Sequence, residues 1–340
     1  MTDSFSISRV KRVDKEGVYE AYRDWPRLAQ QGLKVEFDPP KKKFWRVVVM
    51  GMGGSASGGD ILTGWIRARG TGEMSVCKGH IPFHEMSDTL AIVYSASGQT
   101  RETLEMLKTA VERNATVVSI SSGGKILELS ESLGVPHVTM PRVLAPRYVL
   151  PFVLFSCFAI TNKALELNCE AEATAAIKEM NTLSETIDVE SRSGSNDAKR
   201  LAGLLLRRVP AIYGTTVTRG AAIRFKNALN ENAKEHALVD VIPELFHNEV
   251  ESWEFPSHGF VPIFLRHSHE EDTMRKRVDS MVELLRRMRR RPVEFRGRGP
   301  NSLAELVTMV YELDLVSYYI AVALGRDPLP TKLLDALKNS

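Results

Sequence analysis

Cysteine is scarce in this chain: three in 340 residues, Cys77, Cys157 and Cys169, with no CxxC pair among them. That pattern excludes a disulfide-stapled secreted fold and a cysteine-based zinc site, and it fits a reducing cytoplasm. An excess of either charge is missing too. The 45 Lys and Arg nearly balance 42 Asp and Glu, for a net +3, which argues against nucleic acid or a membrane surface as the main partner. Long hydrophobic runs are wanting. The apolar stretch LPFVLFSCFAI (150–160) falls short of the ~18–20 residues of a membrane span, and MTDSFSISRVKRVDKEG lacks the apolar core of a signal peptide. A soluble, cytoplasmic protein is expected. What is present is ample core material, 43% hydrophobic residues, in a chain long enough for roughly two domains of about 150 residues.

Short apolar runs alternate with helix-patterned segments, the signature of a parallel sheet flanked by helices. FWRVVVMG (44–51), LAIVYS (90–95), ATVVSIS (115–121) and VPHVTMP read as strands in the first half. VPAIYGT (209–215), ALVDVIP, VPIFLRH and PVEFRG read as strands in the second, with a helix over RGAAIRFKNALNENAKEHA. A long amphipathic helix is expected at SLAELVTMVYELDLVSYYIAVAL and a final one after Pro330. The spacing predicts an N-terminal extension over 1–35, an α/β unit over 36–165, a linking helix over 166–195 and a second α/β unit over 196–340.

Two strand ends carry chemistry. GMGGSASGGD (51–60) follows the first strand and opens a helix, whose unpaired N–H groups suit an anion. A Walker A loop fails here because Asp60 follows Gly59 where Lys is required. A dinucleotide fingerprint is met literally by Gly51, Gly53 and Ala56, but its ribose-binding acid is missing, since Glu73 precedes the strand MSVCK. A plain tight turn of small residues also satisfies this segment. YSASGQTRETL (94–104) repeats the arrangement with Ser95, Ser97, Gly98, Gln99 and Thr100 close together. Hydroxyls and amides at a helix start make a lysine-free cradle for a sugar phosphate; the plainer alternative is an N-cap at Thr100. Two such turns on consecutive parallel strands converge at a topological switch point.

The pairing of GMGGSASGGD with SASGQTRETL resembles sugar isomerase (SIS) domains. APR at 145–147, NENAKEHA and PELFHNEVESWE extend the likeness to the bifunctional phosphoglucose/phosphomannose isomerase family, from about residue 45 to the C-terminus. The chain reads SASGQT where that family commonly reads SYSGNT, so Ala96 and Gln99 differ. The resemblance implies two tandem SIS-type αβα sandwich units with parallel sheets. It also implies interconversion of glucose 6-phosphate and mannose 6-phosphate with fructose 6-phosphate through a cis-enediol(ate), in glycolysis and gluconeogenesis. Gly53, Gly54, Ser55, Ser95, Ser97, Gln99 and Thr100 would bind the phosphosugar.

Aldose–ketose isomerisation needs a base over two adjacent carbons and help with ring opening. By resemblance, Glu231 is the base and His247 the ring-opening residue, contributed by the neighbouring subunit of a homodimer. Arg147, at a helix start, offers a fixed charge for a developing enediolate oxygen, or a plain salt bridge. Thr331 and Lys338 lie seven apart, two helical turns; the family places a threonine that accepts both C2 epimers and a lysine near the ring oxygen at this spacing. Lys332 is left unassigned. No cofactor and no metal are expected: His267 and His269 precede acids that suit a helix start, and the arginine run 286–291 reads as a solvated or subunit-contact face. The contrasting reading is a non-catalytic phosphosugar-binding SIS regulator.

Overall fold

A computed structural model describes residues 4–191, 194–255 and 259–338. Three short helices come first, α1 Ile7–Val13, α2 Val18–Arg23 and α3 Trp25–Leu33. Strands and helices then alternate through β1 Arg46–Met50, α4 Gly54–Arg69, β2 Glu73–Cys77, β3 Thr89–Ser95, α5 Arg101–Glu112, β4 Thr116–Ser121, α6 Lys125–Leu133 and β5 His137–Thr139. Helices α7 Leu150–Ala164 and α8 Glu170–Thr186 follow. The second alternation runs α9 Asp197–Leu205, β6 Val209–Gly214, α10 Arg219–Ala228, β7 Leu238–Val241, β8 Phe260–Arg266, α11 Asp272–Arg287 and β9 Val293–Arg296, and it closes with α12 Ser302–Leu324 and α13 Lys332–Lys338.

The chain forms two compact units, Asp24–Ile177 and Met1–Arg23 with Lys178–Ser340. These limits differ from the expected ones. The first 23 residues, read as part of an extension, group with the C-terminal half, and the expected linking segment 166–195 is divided between the two units within α8.

In the unit 24–177 the sheet order is β2-β1-β3-β4-β5, every pair parallel. Both faces of the central strands are covered, so β3 is buried at every residue and reads as the unbroken apolar run a parallel sheet requires. Helices α4 and α7 meet at close range because Gly58 faces the backbone of Leu154, where a Cβ would sit 2.9 Å away. Gly59 lies as tightly against Val49 of β1. Part of the glycine cluster at 51–60 therefore serves helix packing.

In the other unit the order is β7-β6-β8-β9, again all parallel. Its centre is α12. The sequence predicts an amphipathic helix there, and the structure corrects this: all but three of its residues are buried. It is long and apolar enough to cross a membrane, longer than the 150–160 run, yet 94% of its most apolar window is packed inside the protein, as befits a helix apolar all round. Asn301 caps its start by accepting the Ala304 N–H at 2.9 Å, and Gly325 ends it in the left-handed conformation, φ +71°. Arg9 donates to the carbonyls of Val322 and Ala323 at 2.8 and 2.6 Å, satisfying its last turn.

Candidate active site

Strand order fixes the first candidate cluster, within the unit 24–177. With β1 and β3 adjacent, the loops leaving both open at the same carboxyl edge, at the switch point where open sheets bind ligands. The loops touch: Ser55 Oγ accepts the Ala96 N–H at 3.1 Å. Ser95 Oγ donates to Thr100 Oγ1 at 3.3 Å, and Ser97 Oγ accepts the Gln99 N–H at 3.2 Å. Thr100 occupies the N-cap position of α5 in an extended conformation but makes no side-chain capping bond. The ordinary-cap alternative thus lacks its bond.

Gly98 is constrained twice. Its φ is +67°, and an added Cβ would lie 1.7 Å from the Gly123 carbonyl oxygen, a position no side chain can share. Ser122 Oγ donates to the Ala96 carbonyl at 2.6 Å, and the Ile126 N–H reaches the Gly98 carbonyl at 3.0 Å. The loop Ser121–Gly124 therefore braces the Ser97–Thr100 turn from below. Gly54 stands against Pro146 and Arg147, with an added Cβ 3.3 Å from Arg147 Cα, so Arg147 shares the edge of the first loop. Its side chain is buried at 5% exposure and lies over the Tyr148 ring, 4.7 Å from the centroid.

The C-terminal unit carries its own cavity, of about 570 Å³. Here the helix expected to reach residue 237 departs from the pattern: α10 stops at Ala228, and Leu229–Ala233 form a π turn carrying Glu231. Lys234 then adopts φ +57° and ends the helix. Wider π turns inside helices concentrate at functional sites because they re-aim a side chain. This one is held at both flanks. Asn232, fully buried, donates to Tyr22 Oη at 2.7 Å and Ser317 Oγ at 2.8 Å. Arg326 donates to the Ala233 carbonyl at 2.7 Å and pairs with the Glu235 carboxylate.

Below the turn, Arg224 and Asp314 form a buried bidentate pair, Nε to Oδ1 at 2.9 Å. Burial works against the Arg224 charge, but the Asp314 carboxylate, Tyr22 and Glu231 more than offset it and raise the guanidinium above its ordinary value. Glu231 thus stands within electrostatic reach of the Arg224–Asp314 ion pair.

Glu231 and Thr331 line the same cavity. Thr331 precedes α13 instead of lying within it, and its carbonyl accepts the Asp335 N–H at 3.0 Å. The expected shared helical face with Lys338 is corrected to that extent, and the Lys338 side chain lies outside the described residues. His247 ends a 3₁₀ turn, Glu244–His247, exposed and apart from this cavity.

The C-terminal residues 194–340 match the profile of the bacterial phospho-glucose isomerase C-terminal SIS domain. Over 330 residues, 95% of this chain and 97% of the relative, the chain is 30% identical to a bifunctional phosphoglucose/phosphomannose isomerase of Caldicellulosiruptor bescii. The chain belongs to the bifunctional phosphoglucose/phosphomannose isomerase family. A second member, from Aquifex aeolicus, is 29% identical over 95% of this chain and 96% of its own. The fold is that of glucosamine-6-phosphate deaminase from Thermotoga maritima, with a TM-score of 0.70, 14% identity, and coverage of 92% of this chain and 97% of that one.

Against this phosphoglucose/phosphomannose isomerase background, Asn227, Asn230, Lys234, Arg326 and Lys332 also line the Glu231 cavity and escaped the sequence reading. Lys332, unassigned from sequence, lines the cavity next to Thr331. Arg326 left one signal, a lone cation just past the glycine that ends α12. The Ser121–Gly124 brace left another, a third Ser/Gly turn at a strand end.

Proposed function

We propose that this isomerase interconverts glucose 6-phosphate and mannose 6-phosphate with fructose 6-phosphate at one site. The observation that carries the reading is the Glu231 carboxylate on its π turn, lining a cavity with Thr331 in a chain of this family. In the open-chain aldose, Glu231 takes the proton from C2, and the C2–H electron pair forms the C1–C2 double bond of the enediolate as charge moves onto O1. The carboxylic acid returns the proton to C1, the C1–C2 double-bond pair forming the new C1–H bond, while the O2 proton passes to O1 and the O2–H pair forms the ketose carbonyl at C2. Glucose and mannose 6-phosphates differ only at C2, and the enediol has no stereocentre there. Reprotonation on either face links both to fructose 6-phosphate.

The Gly53, Gly54, Ser55, Ser95, Ser97, Gln99 and Thr100 loops hold the phosphate dianion on hydroxyls and amides. Arg147 offsets the enediolate charge. His247, from the neighbouring subunit of a homodimer, and Lys338 assist ring opening. The protein works in the cytoplasm, and the route draws on side chains alone, with no cofactor.

The test is Glu231→Gln, which keeps shape and loses basicity. With both hexose 6-phosphates in coupled assays, turnover should vanish in both while phosphosugar binding stays within a few-fold. Activity within about tenfold of wild type, a barrier change of only ~1.4 kcal/mol, would remove Glu231 as the base. Binding without turnover in the wild-type protein would make the chain a regulator instead.

A further inference from the structure

The C-terminal unit has a switch point of its own. β6 and β8 are adjacent in its sheet, and the loop after β8 holds the topological place that the loop after β3 holds in the other unit. The residues there differ in kind: His267, Ser268, His269 and Glu270 replace the hydroxyl and glycine cradle. The first turn of α12 adds Glu305, from 36 positions beyond His269. One ring nitrogen from each histidine and a Glu305 carboxylate oxygen all lie within 4.8 Å of one another.

The loop is rigidly based. Arg266, 1% exposed, donates through Nη2 to Glu270 at 2.8 Å, and the His267 N–H reaches the same carboxylate at 2.9 Å. Glu305 is held by the Ser268 N–H at 2.9 Å and by the Ser268 hydroxyl. His267 Nε2 lies 3.3 Å from the Ser302 carbonyl. The same Nε2 faces Glu305 Oε2 at 3.9 Å, so the imidazole presents one nitrogen edge to the carboxylate. Backbone and carboxylate contacts of this kind hold metal-binding imidazoles in one orientation. Nδ1 accepts the His269 N–H at 3.2 Å, which ties the two histidines of the loop together. His267 and Glu305 are buried while His269 is exposed, giving an ion a way in from solvent.

We propose that His267, His269 and Glu305 form a binding site for a borderline divalent transition metal, with Zn²⁺ the best match to two imidazoles and a carboxylate. Water completes the shell on the exposed side. The ion ties the end of β8 to the start of α12. It shares no residue with the Glu231 cavity, so its role is to stabilise the folded state.

The experiment uses the full-length untagged chain, freed of metal by chelation and dialysis. Co²⁺ is titrated by visible absorption and Zn²⁺ by calorimetry, with His269→Ala and Glu305→Gln beside the wild type. The expected result is one equivalent per chain with ligand-field bands of low coordination number. The bands should be lost in His269→Ala and affinity weakened at least tenfold in Glu305→Gln, and Zn²⁺ should raise the wild-type melting temperature only. His269 is exposed, so its variant folds even if the buried Glu305 does not tolerate change. Absence of stoichiometric binding would overturn the proposal, as would equal affinity in His269→Ala or thiolate charge-transfer bands reporting a cysteine site.

Discussion

Replacing Glu312 by Gln should stabilise this protein at alkaline pH and do little in acid. Glu312 lies on α12 with its side chain 2% exposed, beside a cavity of about 330 Å³. Its Oε1 is buried without a hydrogen-bond partner among the described residues, and its Oε2 stands 3.8 Å from Arg298. Burial pushes the carboxyl from 4.5 up to about 7; Arg298 and Arg200 oppose the rise and Asp197 adds to it. The folded state therefore holds this proton more tightly than the unfolded state. The contribution is fully present below pH 4.5 and is lost as pH rises through about 7. At roughly 1.4 kcal/mol per pH unit, the interval amounts to about 3 kcal/mol by pH 8. Gln, like the protonated acid, is neutral and can donate, so Glu312→Gln keeps that stability at all pH values. Urea unfolding followed by circular dichroism at pH 5 and pH 8 measures it, and all other titrations cancel between variant and wild type. The gain at pH 8 should approach about 3 kcal/mol, a rise in melting temperature of about 6–12 °C for a unit of this size, and should shrink to about 0.8 kcal/mol at pH 5. A gain independent of pH, or a loss at pH 8, would refute the reasoning.

Gly98→Ala should raise KM for both hexose 6-phosphates by more than tenfold and leave the Glu231 cavity unaltered, because a Cβ at φ +67° collides with the Gly123 carbonyl; initial-rate kinetics decide, and an unchanged KM would count against the cradle. Thr331→Gln should depress the mannose reaction more than the glucose reaction, read as the ratio of the two kcat/KM values, because a larger amide beside Glu231 narrows the space for the second C2 configuration.

Parallel strands announced themselves as unbroken apolar runs, and hydroxyl-rich turns at two strand ends marked a site edge that the β1–β3 adjacency brings together through Ser55 and Ala96. Residues whose partners are distant in sequence were harder to read. Glu305, Glu312 and Asp314 look like the polar side of an amphipathic helix. Asp314 is instead paired with Arg224, ninety positions away, and Glu305 accepts hydrogen bonds from Ser268. No periodicity reveals such pairs, so a fully buried α12 was misread as half-exposed. The π turn at Glu231 is equally silent, since Leu229, Glu231 and Ala233 suit an ordinary helix and the wider geometry is imposed by Asn232 and Arg326 binding groups outside α10.

Tyr22 gives the arrangement a temporal side. Its hydroxyl receives Asn232, 210 residues downstream, and donates to Asp314 at 3.3 Å. On the ribosome the first 23 residues emerge before the whole of 24–177, and their partners emerge last. At about 5–20 residues per second that interval is roughly 10–40 s, long enough for the unit 24–177 to fold while the N-terminal strip waits. The stretch 194–340 that matches the family profile is for the same reason not an excisable module. Cut out, it would carry the Asn232 amide and the Asp314 carboxylate without Tyr22, at about 1–3 kcal/mol for each unmade bond. The turn presenting Glu231 is completed by the oldest part of the nascent chain.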